Sequence, residues 1–160
     1  MLAVRGKSHY LGAMDPLTHA AIGALGATLI YPVLRRRWLK PSPASPRPYF
    51  RRLLVAGALA GMAPDLDLLA QFIADPIWAL GFHRGPTHSL LAAPAGGLLV
   101  AWALSLWQAA LRRAPWPWAP LWASTTIGYA LHPVFDWVTN GGVQLLWPLT
   151  STMYSLGWIG

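Results

Sequence analysis

Four long apolar runs, separated by basic or proline-rich stretches, dominate the hydrophobic pattern of this chain. The runs cover residues 17–34, 53–74, 88–111 and 119–138. Each has about the 18 or more residues that a helix needs to cross a hydrocarbon core of about 30 Å. The pattern therefore predicts an all-α, membrane-embedded bundle of four helices, with residues 140–160 as a fifth segment or a re-entrant piece. The alternative is a soluble helical protein whose helices are unusually buried.

The stretches outside these runs predict the domain organisation. After the first run, RRRWLK is followed by PSPASPRP, which cannot continue a helix and indicates an exposed linker. Residues 1–13 lack periodicity, and we expect a leader or an overcalled start before Met14. Residues 14–160 are expected to form one domain, truncated at the C-terminus because the chain stops at Gly160 without a polar tail.

The composition favours a membrane protein over a soluble one. Hydrophobic residues make up 55% of the chain and charged residues only 11%, whereas soluble domains have about 25% charged residues. A net charge of +7 would also suit a nucleic-acid binder. However, most of the positive charge lies between apolar runs, as in membrane-protein loops, so no nucleic acid is expected. The absence of cysteine excludes disulfides, thiolate catalysis and thiolate metal ligands.

The basic residues predict an orientation in the membrane. Nine of the twelve Lys and Arg residues lie within 35–52 or at 112–113. Because cytoplasmic loops are enriched in Lys and Arg, we expect this end in the cytoplasm and the N-terminus outside. The chain is thus predicted to be a multi-pass protein of the inner (plasma) membrane.

Ionisable residues from separate runs are expected at one depth near the extracytoplasmic face. At 1.5 Å per helical residue, those within the runs lie about 18–24 Å from the basic end. Together with two histidines of the 82–89 stretch, the set is His19, Asp65, Asp67, His83, His88, His132 and Asp136. Each alone has a structural interpretation, such as a hydrogen-bonded histidine or a turn. Ionisable groups within membrane segments are costly, however, and their shared depth indicates a functional site.

This set predicts a metal centre. Nitrogen and oxygen ligands without sulfur suit zinc, with manganese or iron as alternatives. Seven ligands exceed what one tetrahedral zinc needs, so two or more divalent ions are predicted. One aspartate, Asp67, is expected to orient or deprotonate a metal-activated water, and Arg84 to neutralise an anionic substrate.

Two prolines leave the local geometry open. His132 and Asp136 share a helix face if the helix continues through Pro133, but proline fits best in a first turn and would put His132 at a break. A break at Pro64 could turn Asp65 and Asp67 inward together.

Other polar and small residues have non-chemical interpretations. Asp15 is expected to cap the first helix rather than to bind metal. Gly57, Gly61, Gly96 and Gly97 are expected to be helix-packing contacts.

Several motifs carry a resemblance to a known family. They are Met14-Asp15 with Thr18-His19, Pro64-Asp65-Leu66-Asp67, His83-Arg84-Gly85-Pro86-Thr87-His88-Ser89, and His132 with Asp136. In this order, over about residues 14–150, the chain resembles the LexA-binding, inner-membrane-associated hydrolases, often called metal-dependent hydrolases. That family is distantly similar to zinc-dependent phospholipase C and the S1/P1-type nucleases. The resemblance implies hydrolysis of a phosphoester or lipid-linked substrate, by remote analogy.

The competing hypothesis is a non-enzymatic membrane protein that binds or transports metal or regulates a soluble partner. The nearly bare inner halves of the predicted helices argue against transport. A regulator would tolerate the loss of Asp67 with metal still bound, whereas an enzyme would not.

Overall fold

The structure, a computed structural model, describes residues 15–39, 47–72, 84–139 and 141–158. These ranges hold four α-helices, which we number α1 (Pro16–Trp38), α2 (Arg47–Met62), α3 (Ala93–Ala110) and α4 (Trp118–Val138). Short 3₁₀ segments cover Ala63–Phe72, Pro86–His88 and Leu90–Ala92. An isolated β-bridge joins Val143 to Tyr154. The predicted all-α bundle is confirmed.

Helix α1 begins where the sequence predicts. The side chain of Asp15 accepts hydrogen bonds from the backbone N–H and the hydroxyl of Thr18, each at 2.9 Å. These bonds stabilise the carboxylate and hold the pKa of Asp15 below its usual value. The cap role of Asp15 is confirmed, and it places the start of α1 one turn before His19.

Glycines bring the helix backbones into direct contact. A Cβ at Gly57 would lie 2.6 Å from the carbonyl oxygen of Gly23, and one at Gly61 would clash with the carbonyl oxygen of His19. Between α3 and α4, Gly97 lies against the backbone of Thr126, and Gly96 lies against the ring of Tyr129. The predicted packing role of these glycines is confirmed, and such close small-residue contacts are typical of membrane helices.

Large apolar side chains cover the outside of the bundle. Leu29, Leu99 and Trp102 are 69%, 64% and 56% exposed. Two helical stretches, Pro16–Trp38 and Leu90–Ala110, are long and apolar enough to cross a membrane. Soluble core helices can pass the same test of length and composition, but their apolar side chains are buried. An exposed apolar belt of this kind needs a covering, and lipid supplies one.

The basic residues and the ionisable cluster lie at opposite ends of the bundle. At the basic end, the guanidinium of Arg52 in α2 lies 5.9 Å from the Tyr49 ring and 5.8 Å from the Trp116 ring before α4. The opposite end holds the start of α1, the Ala63–Phe72 segment, the residues before α3 and the end of α4.

The structure decides two points that the sequence left open and corrects a third. Residues 141–158 form turns and the isolated bridge rather than a fifth helix. Helix α4 continues through Pro133 to Val138, so His132 does not lie at a break. Helix α2 begins at Arg47, before the predicted run, and gives way to 3₁₀ geometry after Met62. The expected leader at 1–13 lies outside the described residues.

Candidate metal centre

Five side chains from four separate elements converge at one end of the bundle. They are His19 of α1, Asp65 of the first 3₁₀ segment, His88 before α3, and His132 and Asp136 of α4. The three imidazoles and Asp136 are almost completely buried, whereas the Asp65 side chain is 15% exposed. Five residues of the set predicted to share one depth therefore lie together at one end of the bundle.

The distances between nitrogen and oxygen atoms are short throughout this cluster. His132 Nε2 lies 3.3 Å from Asp136 Oδ2 and 3.4 Å from Asp65 Oδ1. His19 Nε2 lies 3.4 Å from Asp136 Oδ1, and His88 Nε2 lies 3.5 Å from Asp65 Oδ1. Four ligands arranged tetrahedrally at about 2.0–2.2 Å from zinc are about 3.3–3.6 Å apart. The spacing therefore fits ligands around a common ion.

Several buried polar atoms of the cluster support the same conclusion. Among the described residues, His19 Nδ1, Asp65 Oδ2, His132 Nε2 and Asp136 Oδ1 have no hydrogen-bond partner. Leaving such an atom buried and unsatisfied costs about 1–3 kcal/mol, and more if it is charged. A cation bound between the imidazoles and the carboxylates would satisfy the atoms that face it.

The ligands form two overlapping groups of three, His19 with His132 and Asp136, and Asp65 with His88 and His132. His132 belongs to both groups, and its ring stacks on His19 at 3.7 Å between centroids. It also meets the His88 ring edge to face at 4.6 Å. Since one imidazole nitrogen binds one ion, the two groups together describe a single centre around His132.

The backbone of α2 fixes which nitrogen of His132 faces the centre. His132 Nδ1 lies 2.7 Å from the carbonyl oxygen of Gly61, which can only accept a hydrogen bond, so Nδ1 carries the proton. Nε2 is then the unprotonated nitrogen, and it faces the two carboxylates. Metal-binding histidines commonly have their second nitrogen bonded in this way.

Asp67 lies on the other side of His88 from this centre. Its Oδ2 is 3.4 Å from His88 Nδ1 and accepts a 2.5 Å hydrogen bond from the Thr87 hydroxyl. Asp65 and Asp67 therefore contact opposite nitrogens of one ring, and Asp67 belongs to neither ligand group. Burial lowers the pKa of His88, but Asp65, Asp67 and Asp136 together outweigh burial and leave it above its usual value. Surroundings that favour a proton on this ring also favour a metal cation beside it.

Arg84 is held against the C-terminal segment. Its backbone has a positive φ of 63°, which is unusual for a residue with a side chain. Its guanidinium occupies the space that a side chain at position 141 would need, so a Cβ at Gly141 would displace it. Its carbonyl oxygen accepts a hydrogen bond from the Gln144 N–H at 3.0 Å.

The segment before α3 is tied to the bundle by residues that the sequence did not single out. The Tyr129 hydroxyl donates to the carbonyl oxygen of Thr87 at 2.8 Å, and the Ser89 hydroxyl donates to that of Trp147 at 2.6 Å. Thr87 and Ser89 belong to the motif of residues 83–89, so their place in that motif was a signal that they could support the site. Nothing in the sequence signalled Tyr129 or the carbonyl of Gly61.

The predicted site residues are thus distributed as follows. His19, Asp65, His88, His132 and Asp136 share one centre, and Asp67 contacts it through His88. Arg84 lies beside Gly141, and His83 lies outside the described residues. The metal role of these residues and the catalytic roles of Asp67 and Arg84 stay predictions.

Comparison with known proteins supports the membrane location. A family model described as "YdjM inner membrane protein" matches residues 14–160. The Inner membrane protein YbcI of Escherichia coli (strain K12) is 34% identical over 110 residues, which are 67% of this chain and 60% of that relative. The chain thus spans less than two thirds of that relative's length. No solved structure matches the chain. These descriptions name no reaction, so the resemblance to hydrolases and nucleases stays a prediction.

Proposed function

The chain belongs to the YdjM inner membrane protein family, and from this premise we propose that it is a membrane-embedded, metal-dependent hydrolase. The observation that carries the proposal is the convergence of three buried imidazoles and two carboxylates, with His132 Nε2 directed at oxygens of both. Burying unpaired ionisable groups is costly, so a cluster of this kind is kept for a purpose that needs them.

The proposed centre holds one divalent ion from the described residues, because both ligand groups share His132. Zinc suits the nitrogen and oxygen donors and their spacing, and manganese or iron remains an alternative. The prediction of two or more ions depends on residues beyond the five, such as His83.

A bound divalent ion would supply Lewis acidity and would lower the pKa of a water at an open position. Asp65 is the most exposed of the five cluster residues, so water and substrate would approach the centre from its side. Arg84 would bind an anionic substrate group, since guanidinium donors match phosphate oxygens. Asp67 is the proposed base; because its carboxylate faces Nδ1 of His88, on the far side of that ring from the centre, it would act on the centre through His88. A phosphoester or lipid-linked substrate fits this combination.

We further propose that the chain crosses the inner membrane several times, with the site near the extracytoplasmic face. The support is the separation of the basic end from the cluster end, combined with the positive-inside rule. A reporter fused near Pro43 should behave as cytoplasmic, and a periplasmic signal at that position would invert the topology.

The experiment for the central proposal combines metal analysis with hydrolysis. Zinc content and hydrolysis of bis(p-nitrophenyl) phosphate are measured on the detergent-purified chain and on His132→Gln and Asp136→Asn. Asp15→Asn is the matched control, because it neutralises an aspartate at the same end of the bundle that only caps a helix. We expect both cluster variants to lose metal and activity and the control to keep both. Unchanged metal content in the cluster variants would disprove the metal centre.

The alternative of a non-enzymatic metal-binding or regulatory protein gives a different result in the same experiment. Metal would bind and depend on His132 and Asp136, but hydrolysis would be absent at every metal loading. Asp67→Asn sharpens the distinction, because an enzyme would lose turnover with metal retained.

A further inference from the structure

Thr87 stands between an aspartate and a histidine of the candidate centre. The Thr87 hydroxyl donates to Asp67 Oδ2 at 2.5 Å. The hydroxyl oxygen of Thr87 also lies 3.0 Å from His88 Nδ1. The other nitrogen of this ring, Nε2, lies 3.5 Å from Asp65 Oδ1 and 3.7 Å from Asp136 Oδ2. Thr87 therefore contacts the side of His88 that points away from the centre.

The number of available protons decides the direction of these bonds. A hydroxyl has one hydrogen to donate, and a carboxylate can only accept, so the Thr87 proton is committed to Asp67. The Thr87 oxygen must then accept from His88, which requires a proton on Nδ1. A neutral His88 with its proton on Nδ1 has its lone pair on Nε2, the nitrogen that faces the centre.

We propose that Thr87 is a positioning residue that holds His88 in the tautomer competent to bind metal. Asp67 fixes the Thr87 proton, and Thr87 in turn fixes the His88 proton. His132 reaches the same state through the Gly61 carbonyl, so two of the three imidazoles have their lone pairs preset toward one point. This inference rests on the metal centre of the proposed function but does not depend on hydrolysis.

The main chain around Thr87 is well suited to hold the hydroxyl in place. Its carbonyl oxygen accepts the 2.8 Å hydrogen bond from Tyr129 of α4, and Pro86 restricts the backbone directly before it. Two residues later, the Ser89 hydroxyl is bonded to the Trp147 carbonyl. A substitution at position 87 that keeps the shape of the side chain should therefore change the hydrogen bonding and leave the backbone in place.

The test is metal affinity of the full chain in detergent, measured by competition for Zn²⁺ with a chromophoric chelator. Thr87→Val keeps the shape and removes the hydroxyl, and we expect an affinity about 10–100-fold lower, as for the loss of other bonds to metal-binding histidines. Thr87→Ser retains the hydroxyl and should bind Zn²⁺ with the affinity of the parent chain. Thr28→Val is the matched control, because the Thr28 hydroxyl is half-buried and donates within α1, to the Ala24 carbonyl.

A spectroscopic readout separates positioning from packing. The visible absorption of bound Co²⁺ reports ligand geometry, and we expect Thr87→Val to change it and Thr87→Ser to retain it. If Thr87→Val does not fold, Asp67→Ala replaces it: without an acceptor at position 67 the Thr87 proton is free to turn to His88, so Zn²⁺ should again bind more weakly.

The outcomes distinguish the two proposals. Affinity and Co²⁺ spectrum unchanged in Thr87→Val, or Thr87→Ser as weak as Thr87→Val, would overturn the role of the Thr87 hydroxyl while the centre itself stands. If Zn²⁺ affinity depends on the Thr87 hydroxyl but the parent chain hydrolyses no substrate, the hydrolase proposal is rejected and the role of Thr87 stands. A parent chain that binds no Zn²⁺ or Co²⁺ would overturn both.

Discussion

Gly61→Ala is the substitution for which the structure and simple helix propensity predict opposite signs. Gly61 is the penultimate residue of α2, and a Cβ at this position would clash with the carbonyl oxygen of His19 and lie 3.2 Å from the Cα of Gly23. The obstacle is backbone, so it cannot rotate away. The carbonyl of Gly61 also accepts the 2.7 Å hydrogen bond from His132 Nδ1.

The magnitude follows from two opposing effects. Replacing glycine by alanine within a helix stabilises by about 0.5–1 kcal/mol when nothing obstructs the new Cβ. Forcing an additional carbon into a closely packed contact costs about 1–3 kcal/mol, and here α1 and α2 must separate to relieve it. We therefore expect net destabilisation of about 1–2 kcal/mol. Since His19 and His132 both depend on this contact, zinc affinity should fall as well.

The assay is equilibrium unfolding in detergent, followed by helical circular dichroism, with zinc affinity measured on the same samples. Ala58→Gly calibrates the intrinsic preference within α2, because Ala58 lies three residues earlier and is half-buried. An increase in stability of Gly61→Ala, with zinc affinity unchanged, would refute the close α1–α2 approach and its role in placing the two imidazoles.

Four further predictions concern the centre and its surroundings. Asp136→Asn should reduce zinc affinity at least about tenfold in chelator competition, because a neutral amide replaces a carboxylate in contact with His19 and His132; equal affinity would contradict a ligand role. Zinc at about 100 times its dissociation constant should stabilise the folded chain by about 2.7 kcal/mol in unfolding experiments, and His132→Gln should abolish this gain. Asp15→Ala should lower the melting temperature without changing metal content. Because the pKa of Asp15 is lowered on folding, the contribution of this cap is complete above about pH 3.8 and is lost as the pH falls below it, so the variant and the parent should converge in acid. Arg84→Gln should raise the KM for an anionic phosphoester far more than it changes zinc affinity; an unchanged KM would exclude contact with the substrate.

Local sequence alone was sufficient to predict that four helices form and where α1 begins. Long apolar runs give helices wherever backbone hydrogen bonds must be satisfied without water, whatever the neighbours are. The cap at Asp15 needs only a carboxylate three residues before an N–H, so it is equally local. The shared depth of His19, His88 and His132 also followed from counting residues along antiparallel helices, since the rise per residue is constant.

Tertiary packing decided how these residues meet. Pro133 remains inside α4, although local rules place proline at a first turn, and this keeps His132 and Asp136 on one face. Asp65 and Asp67 are two positions apart in one 3₁₀ segment, yet they contact opposite nitrogens of His88. Periodicity gives the height of a side chain along a helix but not the rotation of that helix against its neighbours. That rotation is set by backbone contacts such as Gly61 with His19, which depend on residues far apart in the chain. For this reason the sequence was sufficient to predict a cluster, and only the fold separated its ligands from Asp67 and revealed the bonds from Gly61 and Thr87 that orient them.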